Sequence, residues 1–484
     1  MRARTLAEVA EAVRGRVRPA EAAGTVVRGV STDSRRVRPG DLFVALPGAH
    51  TDGHRFVGQA LAAGAAAALV REGHPGLGEP SGPVVEAADP LRGLLDLAAD
   101  ERRHLRGTVV GITGSTGKTS TKDFTAAVLS RRLQVAASPA SYNNEVGLPL
   151  TLLGAPPDAE ALVLEMGSRG RGHIRLLCEV ARPLVGVVTN VGVAHMELFR
   201  SPEVLRDAKA ELPEALPPEG TAVLNADDPV VRSYRARTPA AAVLYGLGPE
   251  AAVRAEAVRL DEVTAAARFR LVLPEGSAEV ALPVPGEHMV PNALAAAAVG
   301  WVLGLTAEEC AEGLARASLS AGRMRLLTTP GGLRVLDDSY NANPTSMAAA
   351  LKTARRMAGR ARCVAVLGFM AELGPISVAE HERLGELVVR LGVDHLVVVG
   401  EEARLVGVSA AREGLEADRL TFCRDPEEAA EAIRRVASPG DLVLVKASRA
   451  ARLERVVRAL GAEPAPPGVG ATEPRPAPEG VGGR

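Results

Sequence analysis

Between Gly111 and Phe124 the chain reads GITGSTGKTSTKDF: an apolar run, a knot of Gly, Ser and Thr, then a lysine and two hydroxyl residues. Glycines let a backbone curl until its N–H groups point inward. A helix opening near Lys118 adds partial positive charge at the same place. That combination suits a phosphate. The backbone of Gly114, Ser115, Thr116 and Gly117 would surround it, Lys118 would reach the outer phosphates of a nucleotide, and Thr119 or Ser120 would offer a hydroxyl to Mg2+. The usual phosphate-loop pattern also asks for Gly at the position held by Ile112. A plain strand-to-helix turn containing a lysine is the bland alternative, but strand, loop, Lys, Thr and helix fall in the expected order.

Two further residues belong to the same chemistry. Glu165 ends the apolar run ALVLE, and His195 follows LVGVVTNVGVA. In open parallel sheets ligands collect at the carboxyl ends of strands, so both would share a rim with the loop. A carboxylate and an imidazole beside a triphosphate are reasonable Mg2+ ligands. Taken singly, each also reads as an ordinary residue: a helix-capping acid and a satisfied histidine.

These residues need a scaffold, and the chain supplies a large one. Its 484 residues suggest two to four domains. A net charge of −1 and 2% aromatics argue against nucleic acid as a partner. The four cysteines, Cys178, Cys310, Cys363 and Cys423, show no paired spacing, which fits a reducing, cytoplasmic setting. The first residues carry charge throughout, unlike a secretory leader. The longest apolar stretch, NALAAAAVGWVLGL opening at Asn292, is short for a membrane span and reads as a buried helix.

Three blocks and a tail can be drawn. Residues 1–86 mix short strands with an alanine-rich helix near Phe56 to Ala68. Residues 87–318 alternate apolar strands with helices, and residues 319–463 repeat the habit. Near-continuous apolar runs such as TVVGIT and ALVLEMG suit a parallel sheet covered on both faces. The fold class expected is α/β throughout. The Pro/Gly-rich end, 464–484, reads as a disordered tail.

In this order the motifs resemble those of the Mur ligases and the related folylpolyglutamate synthases, ATP-dependent amide-forming enzymes with a TGxxGKT loop. That loop form covers the departure at Ile112. The resemblance rests on STDSRRVRPGDLFVALPGAHTDGHRF, TGSTGKTSTK, SYNNEVGLPLTLL, LEMGSRGRGHI, TNVGVAHMELF, AKAEL, NADD, GRM, DDSYNANPTSM and DLVLVKASRA, and it spans nearly everything but the tail. Within the family, DDSYNANPTSM and YNNEVGLPLTLL are similar to the branch that adds D-alanyl-D-alanine to UDP-N-acetylmuramoyl-tripeptide. The resemblance implies three domains: a small UDP-binding α/β domain, a central P-loop parallel-sheet domain for ATP, and a C-terminal Rossmann-like domain for the incoming amine. It implies a monomer in the cytoplasm.

The resemblance also implies roles, residue by residue. Thr32, Asp33, Ser34 and Arg35 are expected near the uridine diphosphate. Asn143, Asn144 and Glu145 are expected to face the substrate, with Tyr340, Asn341 and Asn343. Asn225, Asn292, Arg323 and Asp338 are expected to contact ATP, and Thr119, Glu165 and His195 to hold Mg2+. Lys118, His195, Arg323 and Lys209 are the expected catalytic groups. Read alone, Lys209 in RDAKAEL is a solvated helix lysine. In relatives the matching lysine takes up CO2 as a carbamate, which requires a neutral amine. Three positions depart from the family pattern: Phe369 stands where Asp is expected, Ala447 where Gly is, and Met289 where Asn is.

Overall fold

The computed structural model describes residues 1–48, 51–75, 81–139, 141–192, 196–199 and 201–464. The chain forms two compact units. The first holds Met1–Arg323 with Asn343–Ala349 and Met370–Glu380; the second holds Met324–Ala342, Ala350–Phe369 and the chain from His381 onward.

The first unit contains two larger sheets. Among the described residues the N-terminal sheet runs Arg16–Arg18, Val84–Ala87, Ala67–Arg71, Asp41–Val44, Gly29–Ser31. Its last four strands are parallel and the edge strand Arg16–Arg18 is antiparallel. The expected helix over 56–68 is shorter than its alanine content suggested. It covers Val57–Ala62, and Ala67 and Ala68 belong to a strand. Gly64, with φ 103, turns the chain between them. The boundary drawn at 86/87 falls inside the strand Val84–Ala87. One core continues across it, from Leu6, Leu69 and Leu94 to Val109, Leu148, Leu164 and Leu212.

The second sheet carries the nucleotide-loop residues. Among the described residues its order is Gly276–Pro285, Ala266–Leu273, Val253–Leu260, Ala241–Gly246, Thr221–Asn225, Val185–Val188, Thr108–Thr113, Ala161–Glu165, Val135–Ala137. From Val253–Leu260 to Val135–Ala137 every pairing is parallel. The central strands are buried on both faces, which explains their uninterrupted Val, Ile and Leu runs. The far edge, from Val253 to Pro285, is an antiparallel extension that the apolar-run reading did not find. Its strands alternate buried and exposed residues, as in Ala266–Leu273, so they lack long apolar runs. The helix Met289–Val302 is buried almost throughout, as expected, but it begins ahead of Asn292.

The second unit is another α/β sheet, ordered Leu420–Cys423, His395–Val399, Cys363–Leu367, Leu442–Lys446, Arg334–Asp337, Arg325–Thr328, Glu463–Pro464 among the described residues. The first five strands are parallel. The unit begins at Met324, a few residues beyond the boundary drawn at 318/319. Pro464, placed with the tail, pairs with Leu327 at the sheet edge, and 465–484 lie outside the described residues.

Candidate active site

Four strand ends of the central sheet meet at one rim. The register pairs Glu165 with Ile112 and Val188 with Thr113. Next along, Leu224 pairs with Val188 and directly precedes Asn225. Between the strand Thr108–Thr113 and the helix Lys118–Leu129 runs the glycine loop. Gly114 has φ 145 and Gly117 has φ 80, conformations that side chains rarely adopt. A Cβ on Gly117 would stand 2.3 Å from Asn292 Oδ1. The helix N-terminus carries no side-chain cap, so its first N–H groups are left for another acceptor.

A neighbouring strand end holds the loop in shape. Asn190 Oδ1 accepts from Thr116 N at 2.9 Å, and Asn190 O accepts from Ser115 N at 2.9 Å. Thr189 Oγ1 donates to Thr116 O at 2.6 Å. Asn225 Nδ2 in turn donates to Thr189 O at 2.8 Å. Within TNVGVAHMELF, one of the motifs behind the family resemblance, the sequence assigns a role only to His195 and leaves Thr189 and Asn190 without one. His195 itself lies outside the described residues. A cleft of 220 Å3 opens beside this clamp, lined by Ser115, Thr116, Asn190, Val191, Gly192, Asp228, Asn343, Pro344 and Thr345.

Thr119 is the most connected hydroxyl here. It donates to Glu165 Oε2 at 2.8 Å, lies 3.3 Å from Ser141 Oγ and accepts from Arg323 Nη2 at 3.2 Å. The other Glu165 oxygen accepts from Asn143 Nδ2 at 2.8 Å. Glu165 is 1% exposed. A buried carboxylate whose partners here are a hydroxyl and an amide has the hard oxygen donors that Mg2+ prefers. Lys118 Nζ donates back to the loop carbonyls of Gly114 at 2.7 Å and Ser115 at 3.2 Å. Burial lowers its pKa; Glu165 pulls the other way, and the Arg323 charge lowers it further. Ser120 is buried, and its hydroxyl makes no hydrogen bond among the described residues. Asn292 lies inside its helix, so it is no N-cap. It accepts from Thr121 Oγ1 at 3.3 Å and packs against Gly117.

Lys209 corrects the reading of a solvated lysine. It sits on the inward face of the helix Pro202–Glu214, is 1% exposed, and its amine has no hydrogen bond or ion pair among the described residues. Burial drives its pKa well below 10.5, and the Lys118 charge adds to the effect against opposing pulls from Glu211 and Glu165. The amine is therefore kept toward its neutral, nucleophilic form.

The remaining candidates fall in separate places. Asn144 Oδ1 accepts from Val146 N and Gly147 N at 3.2 and 2.9 Å, in the turn that leads into the helix Gly147–Gly154. Glu145 pairs with His173 at 2.8 Å. Asp33 follows the strand Gly29–Ser31 and binds Arg35 through both oxygens, at 2.9 and 2.8 Å, with its pKa lowered to about 2 by that guanidinium and by the Arg35 backbone N–H. Ser34 Oγ donates to Gln59 Oε1 at 3.2 Å, while Thr32 makes no hydrogen bond among the described residues. In the second unit, Asp338 accepts from Met324 N at 3.2 Å and from Lys446 Nζ. Lys446 also donates to Asn341 O at 2.9 Å, and the Arg449 guanidinium lies 5.4 Å over the Tyr340 ring. Asn343, in the first unit, exchanges hydrogen bonds with Ser346 at the start of the helix Pro344–Ala358. Of the residues that depart from the family pattern, Ala447 is fully buried, and a Cβ on Gly368 would come 2.7 Å from its own.

One other cluster, Asp52, His54 and His74, groups metal-ligand side chains among the described residues. It is already spoken for. His54 Nε2 accepts from Arg71 N at 2.9 Å, so its proton sits on Nδ1 and is given to Asp52 at 2.7 Å.

Comparison with known proteins places this geometry. Three family descriptions match: "Mur ligase family, catalytic domain" over 26–99, "Mur ligase middle domain" over 112–300, and "Mur ligase, glutamate ligase domain" over 322–449. The chain is 43% identical to UDP-N-acetylmuramoyl-tripeptide--D-alanyl-D-alanine ligase of Mycobacterium tuberculosis, covering 95% of this chain and 98% of that one. Among solved structures it resembles MurF of Acinetobacter baumannii, with TM-score 0.83 and 30% identity over 95% of this chain and 99% of that one. It also resembles MurF ligase of Thermotoga maritima in complex with ADP, with TM-score 0.77 and 30% identity over 90% and 97%.

Proposed function

This chain belongs to the Mur ligase family, and we propose that it uses ATP to join D-alanyl-D-alanine to the terminal carboxylate of UDP-N-acetylmuramoyl-tripeptide, giving the UDP-muramoyl-pentapeptide precursor of peptidoglycan. One observation carries the reading. A glycine loop, Lys118, Thr119 and Glu165 gather at one sheet rim, in a chain that aligns along almost its whole length with a ligase of that activity.

A carboxylate does not react with an amine at neutral pH without activation. One of its oxygens attacks the γ-phosphorus of ATP, and ADP leaves. The dipeptide amine then attacks the acyl phosphate carbon, loses a proton, and the tetrahedral intermediate expels phosphate. No covalent nucleophile is needed, so the enzyme supplies positioning and charge stabilisation. The loop N–H groups and Lys118 are suited to the β- and γ-phosphates, and Arg323 to the charge developing beside Thr119. Asn225, Asn292 and Asp338 are assigned to the nucleotide. Thr32, Asp33, Ser34 and Arg35 are assigned to the uridine diphosphate; Asn143, Asn144, Glu145, Tyr340, Asn341 and Asn343 are assigned to the peptide substrates. Mg2+ held by Thr119, Glu165 and His195 would neutralise phosphate charge.

Lys209 adds CO2 in this reading: its nitrogen bonds the carbon and sheds a proton, leaving an anionic carbamate. A buried amine with no hydrogen-bond or ion-pair partner among the described residues supports this. The enzyme works as a monomer in the cytoplasm, where its nucleotide substrates are dissolved. Among the described residues no helix is long and apolar enough to cross a membrane. The test is ADP release with Mg-ATP and UDP-N-acetylmuramoyl-tripeptide, with and without D-alanyl-D-alanine. Dependence on the dipeptide, with a UDP-pentapeptide by mass, is expected. Release indifferent to the dipeptide would refute the assignment.

A further inference from the structure

Arg323 reaches Thr119 from the end of the first and longest segment of its unit, and something must hold that segment still. One turn along the loop helix from Thr119 lies an ion pair that the mechanism does not use. Lys122 Nζ stands 2.8 Å from Asp123 Oδ1, with side chains only 4% and 10% exposed. Burial of that degree is unusual for charged residues unless they are tied on both sides.

Both are tied. Lys122 donates to Ser138 O at 2.9 Å, and Ser138 Oγ accepts from Glu165 N at 3.2 Å. Asp123 Oδ2 accepts from Ser320 N at 2.8 Å, and its Oδ1 accepts from Ser320 Oγ at 3.2 Å. Ser320 lies three residues before Arg323, and Gly322, with φ 69, turns the chain between them. The pair therefore links the backbone that bears Glu165 to the backbone that bears Arg323. Both of those side chains meet on Thr119.

We propose that Asp123 is a positioning residue: by anchoring Ser320 it holds the Arg323 guanidinium at Thr119, beside the outer phosphates of the nucleotide. The proposal rests on the reading of Arg323 as a phosphate-facing group. A long arginine side chain loses much rotamer freedom when it is fixed. Anchoring its backbone close by reduces what must still be ordered when the nucleotide arrives.

The test is steady-state kinetics of Asp123→Ala, Asp123→Asn, Ser320→Ala, Arg323→Ala and the Asp123→Ala/Arg323→Ala double variant. MgATP is varied, and each protein is also melted thermally. Loss of a charge-assisted anchor is expected to lower kcat/KM for ATP about 10- to 100-fold. KM for the UDP-tripeptide should stay at the parent value. Asp123→Asn, which keeps an acceptor oxygen, should recover part of the loss. The double variant should be no worse than Arg323→Ala alone. Losses that multiply in the double variant, or an equal loss toward the UDP-tripeptide, would overturn the proposal while leaving the Arg323 reading intact. An unimpaired Arg323→Ala would overturn that reading and the proposal with it. If Asp123→Ala does not fold, Asp123→Asn and Ser320→Ala against Arg323→Ala carry the same comparison.

Discussion

Replacing Gly117 by alanine tests the glycine loop most directly. The residue sits at φ 80 and ψ −10, ahead of the helix Lys118–Leu129. Holding an L-residue in a left-handed conformation costs roughly 1–2 kcal/mol. The new methyl would also stand 2.3 Å from Asn292 Oδ1. Asn292 is 7% exposed and fixed by Thr121, so clearing the clash breaks that hydrogen bond, at about 1 kcal/mol. The two costs together come to about 2–3 kcal/mol. At 1.4 kcal/mol per tenfold, this predicts a fall in kcat/KM for ATP of roughly 30- to 150-fold. The melting midpoint should drop by a few degrees at most. The assay is ADP release at varied MgATP. Gly154→Ala is the control: it sits at a helix end, its φ is not positive, and nothing lies within 4 Å of an added Cβ. That variant should match the parent in both measurements. If Gly117→Ala also matched the parent, the loop would not be shaped for a nucleotide as argued.

Three further outcomes are expected. Glu165→Gln removes the charge that Thr119 and Asn143 both address, so the Mg2+ concentration for half-maximal activity should rise about 10- to 100-fold; an unchanged magnesium titration would count against Glu165 as a ligand. Lys209→Met should abolish the carbamate carbon signal seen by NMR in 13C-bicarbonate. Because the native pKa of unmodified Lys209 is depressed, the unfolded state binds the extra proton, and its stability penalty is greatest below the native pKa and vanishes as pH rises through 10.5. In bicarbonate-free buffer the methionine variant should therefore melt higher than the parent at neutral pH, with the gap closing toward high pH. Arg35→Ala should raise the Asp33 titration from about 2 toward its ordinary 3.8 but not all the way, because the backbone N–H of residue 35 still donates to it, read by carboxyl NMR; the small stabilisation from this exposed pair is present above 3.8 and lost as pH falls through about 2.

Much of the catalytic rim was legible because its determinants are local. TVVGIT reads as a buried strand from its apolar content alone, and the order Gly, Lys, Thr forces a loop and then a helix. Glu165 could be placed because parallel strands present their carboxyl ends to one side. The antiparallel edge from Val253 to Pro285 was not legible from apolar runs, since half of its side chains face solvent. Asn292 was misplaced within its helix because Met289 and Val290 extend it one turn earlier than the alanine run suggests.

What the sequence by itself determined is therefore the inventory: α/β modules, a phosphate-sized glycine loop, and the hydroxyl, carboxylate and cations that accompany it. These follow from backbone preference and from the spacing of apolar residues, which a chain carries wherever it is placed. Tertiary structure alone decided which charges are desolvated and which hydrogen bonds close. Lys209 is a surface lysine by its neighbours in sequence and a buried amine with a depressed pKa in the fold. Asn190 secures the loop from beyond the end of a different strand, and Lys122 with Asp123 joins Ser138 to Ser320. Burial and hydrogen-bond closure depend on groups brought together from distant parts of the chain, and no local pattern records them.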